Sequence, residues 1–237
     1  MASCGRSAGF CSEQEIPAIT CPPQVQAQLL LGQMHVDTGR FADAFPYFEA
    51  AARSRHPIAL NMLGRAYERG WGVARNAGQA SLYFEEAAQL GDAWAMFNLA
   101  DLLLLGDGAP KDRARAYRLY VFSAEKGNAK ALNMLGLLHE EGIAGTPDLE
   151  GAKIFFQAAA EGGDCWAEIN LSRLALAHQD IAVAASCLQR ALKTGLPDVC
   201  RAIIAAVQPY ADPALKSIGA QAVRQLGLVK RLSAVPA

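Results

Sequence analysis

Shifted by 36 positions, the middle of this 237-residue chain falls into register with itself. Ala59, Ala95, Ala131 and Ala167 share one column, and Leu63, Leu99, Leu135 and Leu171 share another. The same offset joins Gly70, Gly106 and Gly142, then Ala80, Ala116 and Ala152, then Ala88, Ala124 and Ala160, then Gly91, Gly127 and Gly163. Tyr83, Leu119 and Phe155 keep step, as do Phe84, Tyr120 and Phe156. A fixed period of this size marks a stacked array in which each unit buries its apolar face against the next, because alone it cannot.

The unit reads as two helices. Pro57 to Arg69 carries Ala59, Leu60, Leu63 and Tyr67 at the three and four spacing of an apolar stripe. Pro57 suits a first turn, where its missing N–H has no partner to lose, and Gly70 marks the stop. The turn Gly70-Trp71-Gly72-Val73 recurs as Gly106-Asp107-Gly108-Ala109, with two glycines free to take positive φ. A second helix follows over Ala77 to Leu90, with Ala80, Tyr83, Phe84, Ala87 and Ala88 facing inward. The linker Gly91-Asp92 returns as Gly127-Asn128 and Gly163-Asp164, the glycine ending one helix and the Asp or Asn side chain accepting from N–H groups that open the next.

Counting outward gives full units at 57–92, 93–128 and 129–164. Shorter ones stand at 25–56, with the tight turn Asp37-Thr38-Gly39-Arg40, and at 165–196, which passes through His178, Gln179 and Asp180 without the glycine turn. Pro197 to Val207 and Ala214 to Leu232 read as helices that cap the array, since a terminal element needs one wet face. Residues 1–24 show neither helical nor strand period and read as a flexible extension. The expected fold is all-α: a right-handed superhelix, or solenoid, of about five antiparallel helix pairs with a C-terminal helical cap.

Composition closes off several classes of function. Lys plus Arg number 22 against 23 Asp plus Glu, a formal net charge of -1, so the basic excess that binds a phosphate backbone is missing and nucleic acid is not expected as a partner. Apolar runs such as Leu102 to Leu105 break at Asp101 and Gly106, far short of the ~18 residues a membrane span needs. Residues 1 to 24 hold Arg6, Glu13 and Glu15 with no continuous apolar segment, which points to the cytoplasm, or to the periplasm or secretion if a leader has been removed. The cysteines Cys4, Cys11, Cys21, Cys165, Cys187 and Cys200 sit toward the two ends with no pair at metal-knuckle spacing, and read mostly as free thiols.

Ala59, Leu63-Gly64, Tyr67, Gly70, Gly72-Val73, Ala80, Tyr83-Phe84, Ala87-Ala88 and Gly91 together resemble the Sel-one-like repeat, a relative of the tetratricopeptide repeat with a longer turn. The likeness is strong over 57–164 and weaker over 25–56 and 165–196. It implies a curved scaffold or adaptor that binds a protein or peptide client and uses no cofactor. Some secreted members staple each repeat with a disulfide, but 57–164 contains no cysteine. The chain departs from the pattern at Ala100 and Ser172, which stand where Gly64 and Gly136 do, and in the longer turn Glu141 to Pro147.

In such solenoids the first helices line the concave face. Positions two before and two after the repeated leucine are Asn61 and Arg65, Phe97 and Asp101, Asn133 and Leu137, Ile169 and Arg173. One turn nearer each helix start lie Ile58, Trp94, Lys130 and Trp166. Aromatic and arginine anchors commonly dominate binding energy, so Asn61, Arg65, Trp94, Phe97, Asp101, Lys130, Asn133, Trp166, Ile169 and Arg173 form the candidate surface for a peptide of some acidic character. For the tryptophans a second reading stays open, in which they fill gaps between repeats. Trp71, set between two glycines, reads as packing over a neighbouring turn, with a contact on the convex edge as the alternative.

Nothing in the sequence assembles a catalytic centre. His35, His56, His139 and His178 fall in separate units, and His139, Glu140 and Glu141, adjacent on a helix, diverge rather than converge. There is no phosphate loop and no nucleophile elbow. Thiol chemistry at Cys165, next to Asp164 at a helix start, or at Cys187 or Cys200 with His178 as base, is a weaker reading than simple burial. A structural module that associates with copies of itself is the alternative to an adaptor, ahead of any thiol-dependent enzyme or redox protein.

Overall fold

The computed structural model describes residues 21–143 and 145–233, with side chains as far as Gly227. Cys4, Cys11 and all but the last four residues of the extension read over 1–24 lie outside the described residues, and of those four Pro23 and Gln24 open the first helix rather than extend flexibly. Within them the chain is wholly helical: α1 (Pro23–Asp37), α2 (Phe41–Ala52), α3 (Pro57–Arg69), α4 (Ala77–Gln89), α5 (Ala93–Leu105), α6 (Arg113–Glu125), α7 (Ala129–Glu140), α8 (Leu149–Glu161), α9 (Cys165–Ala177), α10 (Ile181–Leu192), α11 (Pro197–Val207) and α12 (Pro213–Ser233). Each odd helix pairs with the even helix after it, and each even helix packs on the odd helix that opens the next pair. The result is an all-α solenoid closed at its C-terminal end by α11 and α12.

The linkers do the capping expected of them. Gly91, Gly127 and Gly163 hold φ near +88 to +89°. Beside them Asp92 accepts from Ala95 N at 2.6 Å, Asn128 from Lys130 N at 3.1 Å, and Asp164 from Trp166 N at 2.7 Å. A parallel set caps the second helices: Asn76, Asp112 and Asp148 accept from Gln79, Arg115 and Gly151. Each such cap contributes about 1 kcal/mol, and the 36-residue spacing reproduces both sets in every full unit.

Packing within a pair turns on one close approach. A methyl group on Gly64 would stand 2.6 Å from the Phe84 ring, and one on Gly136 would stand 2.5 Å from Phe156. Both rings are fully buried, each contributing up to about 3 kcal/mol of apolar transfer. Over 93–128, Ala100 and Tyr120 replace this pair, and the Tyr120 hydroxyl donates to Asp101. Between pairs the glycine turn makes the contact: a methyl on Gly108 would lie 2.2 Å from the Ala77 carbonyl carbon at the start of α4.

First helices of neighbouring pairs also approach one another, at α1 with α3, α3 with α5 and α9 with α11, whereas among second helices only α10 and α12 make a comparable contact. The first helices thus meet along one side of the stack, its inner side, from α1 to α5 and from α7 to α9. Two hydrogen bonds tie that side together: Asn98 Nδ2 donates to Asn61 Oδ1 and Asn170 Nδ2 to Asn133 Oδ1, both at 2.9 Å.

Candidate partner-binding cleft

On this inner side α3, α5 and α7 enclose an open cleft of about 460 Å³. Its walls include Asn61, Arg65, Trp94, Phe97, Asp101 and Lys130, the candidate residues that the structure brings into one place, together with Ile58, Glu68 and Arg69. The remaining four, Asn133, Trp166, Ile169 and Arg173, lie farther along on α7 and α9.

The candidates divide sharply by exposure. Trp94 is 48% exposed and Trp166 40%, so neither indole is used up between repeats. Phe97 is half-buried, edge-on to Trp94 at 6.1 Å and to Tyr120 at 5.7 Å, and belongs in part to the core. Ile169 is likewise half-buried against the cluster that α9 shares with α10 and α11. Asn61 and Asn133, expected at the surface, are buried beneath it, because each side chain accepts the inter-repeat bond from the next unit. Each amide oxygen is so engaged, while the Nδ2 donors bond to no described residue.

The charged members differ in what holds them. Arg173 grips Glu140 through its two terminal guanidinium nitrogens, at 2.5 and 2.7 Å, so it ties α9 to α7. Among the described residues Arg65 and Lys130 have no carboxylate partner. The Arg65 guanidinium lies 5.1 Å from the Trp71 ring, and burial lowers its proton affinity. Lys130 Nζ lies 5.5 Å from the Trp94 ring. Trp71 itself stacks on Phe41 at 6.5 Å and is packed against the preceding pair.

Asp101 occupies the floor between them. Burial, with the nearby Glu68 charge adding to it, pushes its carboxyl up to about 6 despite the hydrogen bond from Tyr120 at 2.5 Å. Glu68 and Arg69, which sequence reasoning passed over, and Ile58, which it placed in the column without counting it as a candidate, also line the walls. Ile58 was in the correct column, and its 46% exposure is the property that the column alone did not reveal.

Elsewhere the polar groups are structural. His139 bridges Asp148 through Nδ1 and the Tyr117 hydroxyl through Nε2, both at 3.1 Å, closing the long turn over 141–148. Its neighbours diverge, Glu140 to Arg173 and Glu141 to Arg113. Buried Glu168 holds Arg190 through two bonds of 2.5 and 2.7 Å. Burial raises the thiols of Cys165, Cys187 and Cys200 above the ordinary value, with the Asp164 charge reinforcing it at Cys165. That is the wrong direction for a nucleophile. Among the described residues no three His, Cys, Asp or Glu side chains converge on a metal position, and no helix is long and apolar enough to cross a membrane.

A stack of helix hairpins with an open cleft along its inner helices is a helical-repeat solenoid, an architecture suited to presenting a surface to other proteins. The repeat is the Sel1 repeat: its family model matches residues 57–92, 95–128 and 129–164. Human protein sel-1 homolog 2 is 34% identical over 93 residues, covering 39% of this chain and 14% of that protein. The exopolysaccharide production negative regulator of Rhizobium meliloti is 30% identical over 173 residues, covering 65% of this chain and 63% of the regulator. The chain thus spans less than two thirds of either relative. Among solved structures, a Sel1 repeat protein from Oxalobacter formigenes superposes with a TM-score of 0.71 at 23% identity, covering 88% of each chain. A protective antigen of uropathogenic Escherichia coli with an SLR fold gives 0.66 at 23% identity, covering 86% of this chain and 46% of that one. At those identities the likeness is one of fold.

Proposed function

We propose that the chain is a non-catalytic scaffold that holds a partner protein by an acidic and apolar segment laid into the cleft of α3, α5 and α7. The observation that carries this reading is Arg65: a half-buried guanidinium on the cleft wall that, among the described residues, makes no ion pair, with Glu68 acting on it only from a distance. A partly desolvated cation regains electrostatic stabilisation when an anion arrives, and the adjacent exposed Trp94 supplies apolar area. The raised thiols argue against a thiol enzyme. The unbonded Cys21, Cys165, Cys187 and Cys200 suit a reducing cytoplasmic setting.

A peptide library displayed on phage and selected on the full chain tests the proposal. Enriched peptides should join acidic to apolar residues. Their binding should weaken at least tenfold, about 1.4 kcal/mol, in Arg65→Ala and in Trp94→Ala, with melting little changed. Binders indifferent to both substitutions would contradict it.

Self-association is a second reading with an observation of its own. Leu30, Leu31 and Met34 are 64%, 40% and 47% exposed on α1, where the array begins. Sedimentation over a range of concentrations, on wild type and on Leu30→Ser with Met34→Ser, reads it directly: assembly in the first and not the second supports it, and a concentration-independent monomer rules it out.

A further inference from the structure

The chain itself arrives beside the cleft of α3, α5 and α7. Cys21, which leads into α1, packs against the cluster that Val25, Ala51 and Ala59 form between α1, α2 and α3. Ala59 is the neighbour of Ile58, which stands in the first turn of α3 and lines the cleft. The residues before Cys21 therefore join the fold at the end of α3 where the cleft begins.

The charge left over in the cleft is positive. Of the carboxylates that line it, Glu68 pairs with Arg69 at 3.4 Å, Asp92 accepts from the Ala95 N–H at 2.6 Å, and Asp101 accepts from the Tyr120 hydroxyl at 2.5 Å. Arg65 and Lys130 make no ion pair among the described residues. Position orders these groups. Ile58 and Trp94 occupy the same place in the first turns of α3 and α5, both exposed, and Arg65 follows about two turns farther along α3.

The sequence before Cys21 runs in the matching order. Between Ser7 and Gln24 the only charged residues are Glu13 and Glu15, and Ile16 and Ile19 stand between them and Cys21. Counted back from Cys21, apolar side chains come first and carboxylates after, as Ile58 comes before Arg65 on α3. Length permits the fit. An extended chain from Cys21 back to Glu15 reaches up to about 20 Å, whereas α3 from Ala59 to Arg65 spans about 9 Å. Resting on the proposed partner-binding role of the cleft, we infer that residues 13–20 dock in the cleft of their own chain, Glu13 and Glu15 against Arg65 and Lys130 and the two isoleucines against Ile58 and Trp94, so that a partner must displace them. A tethered segment acts at an effective concentration of about 1 mM, so one that binds with a dissociation constant of about 0.1 mM weakens an outside ligand about tenfold.

The test uses the full chain, as wild type and as Glu13→Lys with Glu15→Lys. Carbodiimide coupling joins a carboxylate directly to an amine, and mass spectrometry of the wild-type monomer should find Glu13 or Glu15 linked to Lys130 rather than to Lys153, Lys193 or Lys216. In fluorescence anisotropy with a labelled acidic and apolar peptide selected from the library, the charge-reversed chain should bind about tenfold more tightly than the wild type. No coupling to Lys130, coupling found only in a covalent dimer, or equal affinity of the two chains overturns the docking. If the selected peptide still depends on Arg65 and Trp94 in that case, the partner-binding role stands without it. Coupling to Lys130 in a chain that binds no library peptide, charge-reversed or not, supports the docking and defeats the partner-binding role instead.

Discussion

The α-carbon of Gly64 faces the ring of Phe84 so closely that a methyl group added to it would stand 2.6 Å from the ring edge. Helix propensity favours alanine over glycine by about 1 kcal/mol, and here packing overrules it. Gly64→Ala should destabilise the protein by about 2 kcal/mol, in the range for overpacking, and Gly136→Ala should do the same against Phe156. Ala100→Gly, facing Tyr120, should instead cost the propensity difference of about 1 kcal/mol. Urea denaturation of the three variants measures this order, and a stabilised Gly64→Ala would refute the packing account.

Asp101 makes stability depend on pH in a direction opposite to most carboxylates. Its folded value is pushed up to about 6 from an ordinary 3.8, so between those values the folded chain holds the proton more tightly than the unfolded one. The sign follows: this contribution to stability is lost as pH rises through the window. Asp101→Asn keeps an acceptor for Tyr120 and removes the charge. It should raise stability above pH 6 by about 1–2 kcal/mol and have little effect at pH 4. Melting of both proteins from pH 4 to 8 checks this, and a variant that is uniformly destabilised speaks against it.

Among the described residues the Glu168–Arg190 pair is the one ion pair with a buried member, the Glu168 side chain being 9% exposed and that of Arg190 48%. Arg190→Met leaves Glu168 without a counter-charge in the core of α9 and α10. The loss should be about 2–3 kcal/mol, below the range for a fully buried pair because the arginine is half in water. Glu168→Gln with Arg190→Met together should recover part of it. A double variant no better than Arg190→Met in denaturant unfolding would show that the cost is packing rather than charge.

The thiols offer a check on the non-catalytic reading. With Cys165, Cys187 and Cys200 all raised above the ordinary thiol value, the native protein should react with iodoacetamide at pH 7 more slowly at each than glutathione does. Site-resolved mass spectrometry reads the rates. A cysteine among the three that reacts faster would reopen thiol chemistry.

What the sequence made legible is what recurs at constant offset. Gly91-Asp92 and its copies disclosed both the helix ends and their caps, because a left-handed glycine and an acceptor side chain are needed at the same place in every unit. The expected bounds Pro57 to Arg69 match α3, and Ala77 to Leu90 overshoots α4 by one residue. What stayed hidden does not recur in register. Asn98 bonds to Asn61, 37 residues away, and Arg173 to Glu140, 33 away, so a comparison at 36 sets each beside a residue it does not touch. Outward position on the helix was read correctly for Trp94 and Trp166. For Asn61 and Asn133 it failed, because the neighbouring first helix covers them. Exposure on an inner helix depends on the approach of the next unit, which a single helix does not encode.

The most direct measurement of the central claim is a hydrogen–deuterium exchange footprint of the full chain bound to its strongest library-selected peptide. The account predicts slowed exchange in α3, α5 and α7, centred on residues 58–66, 93–101 and 129–134, with α4, α6 and α8 unchanged. Protection confined to those second helices, or to α1, would place the partner outside the cleft and contradict it.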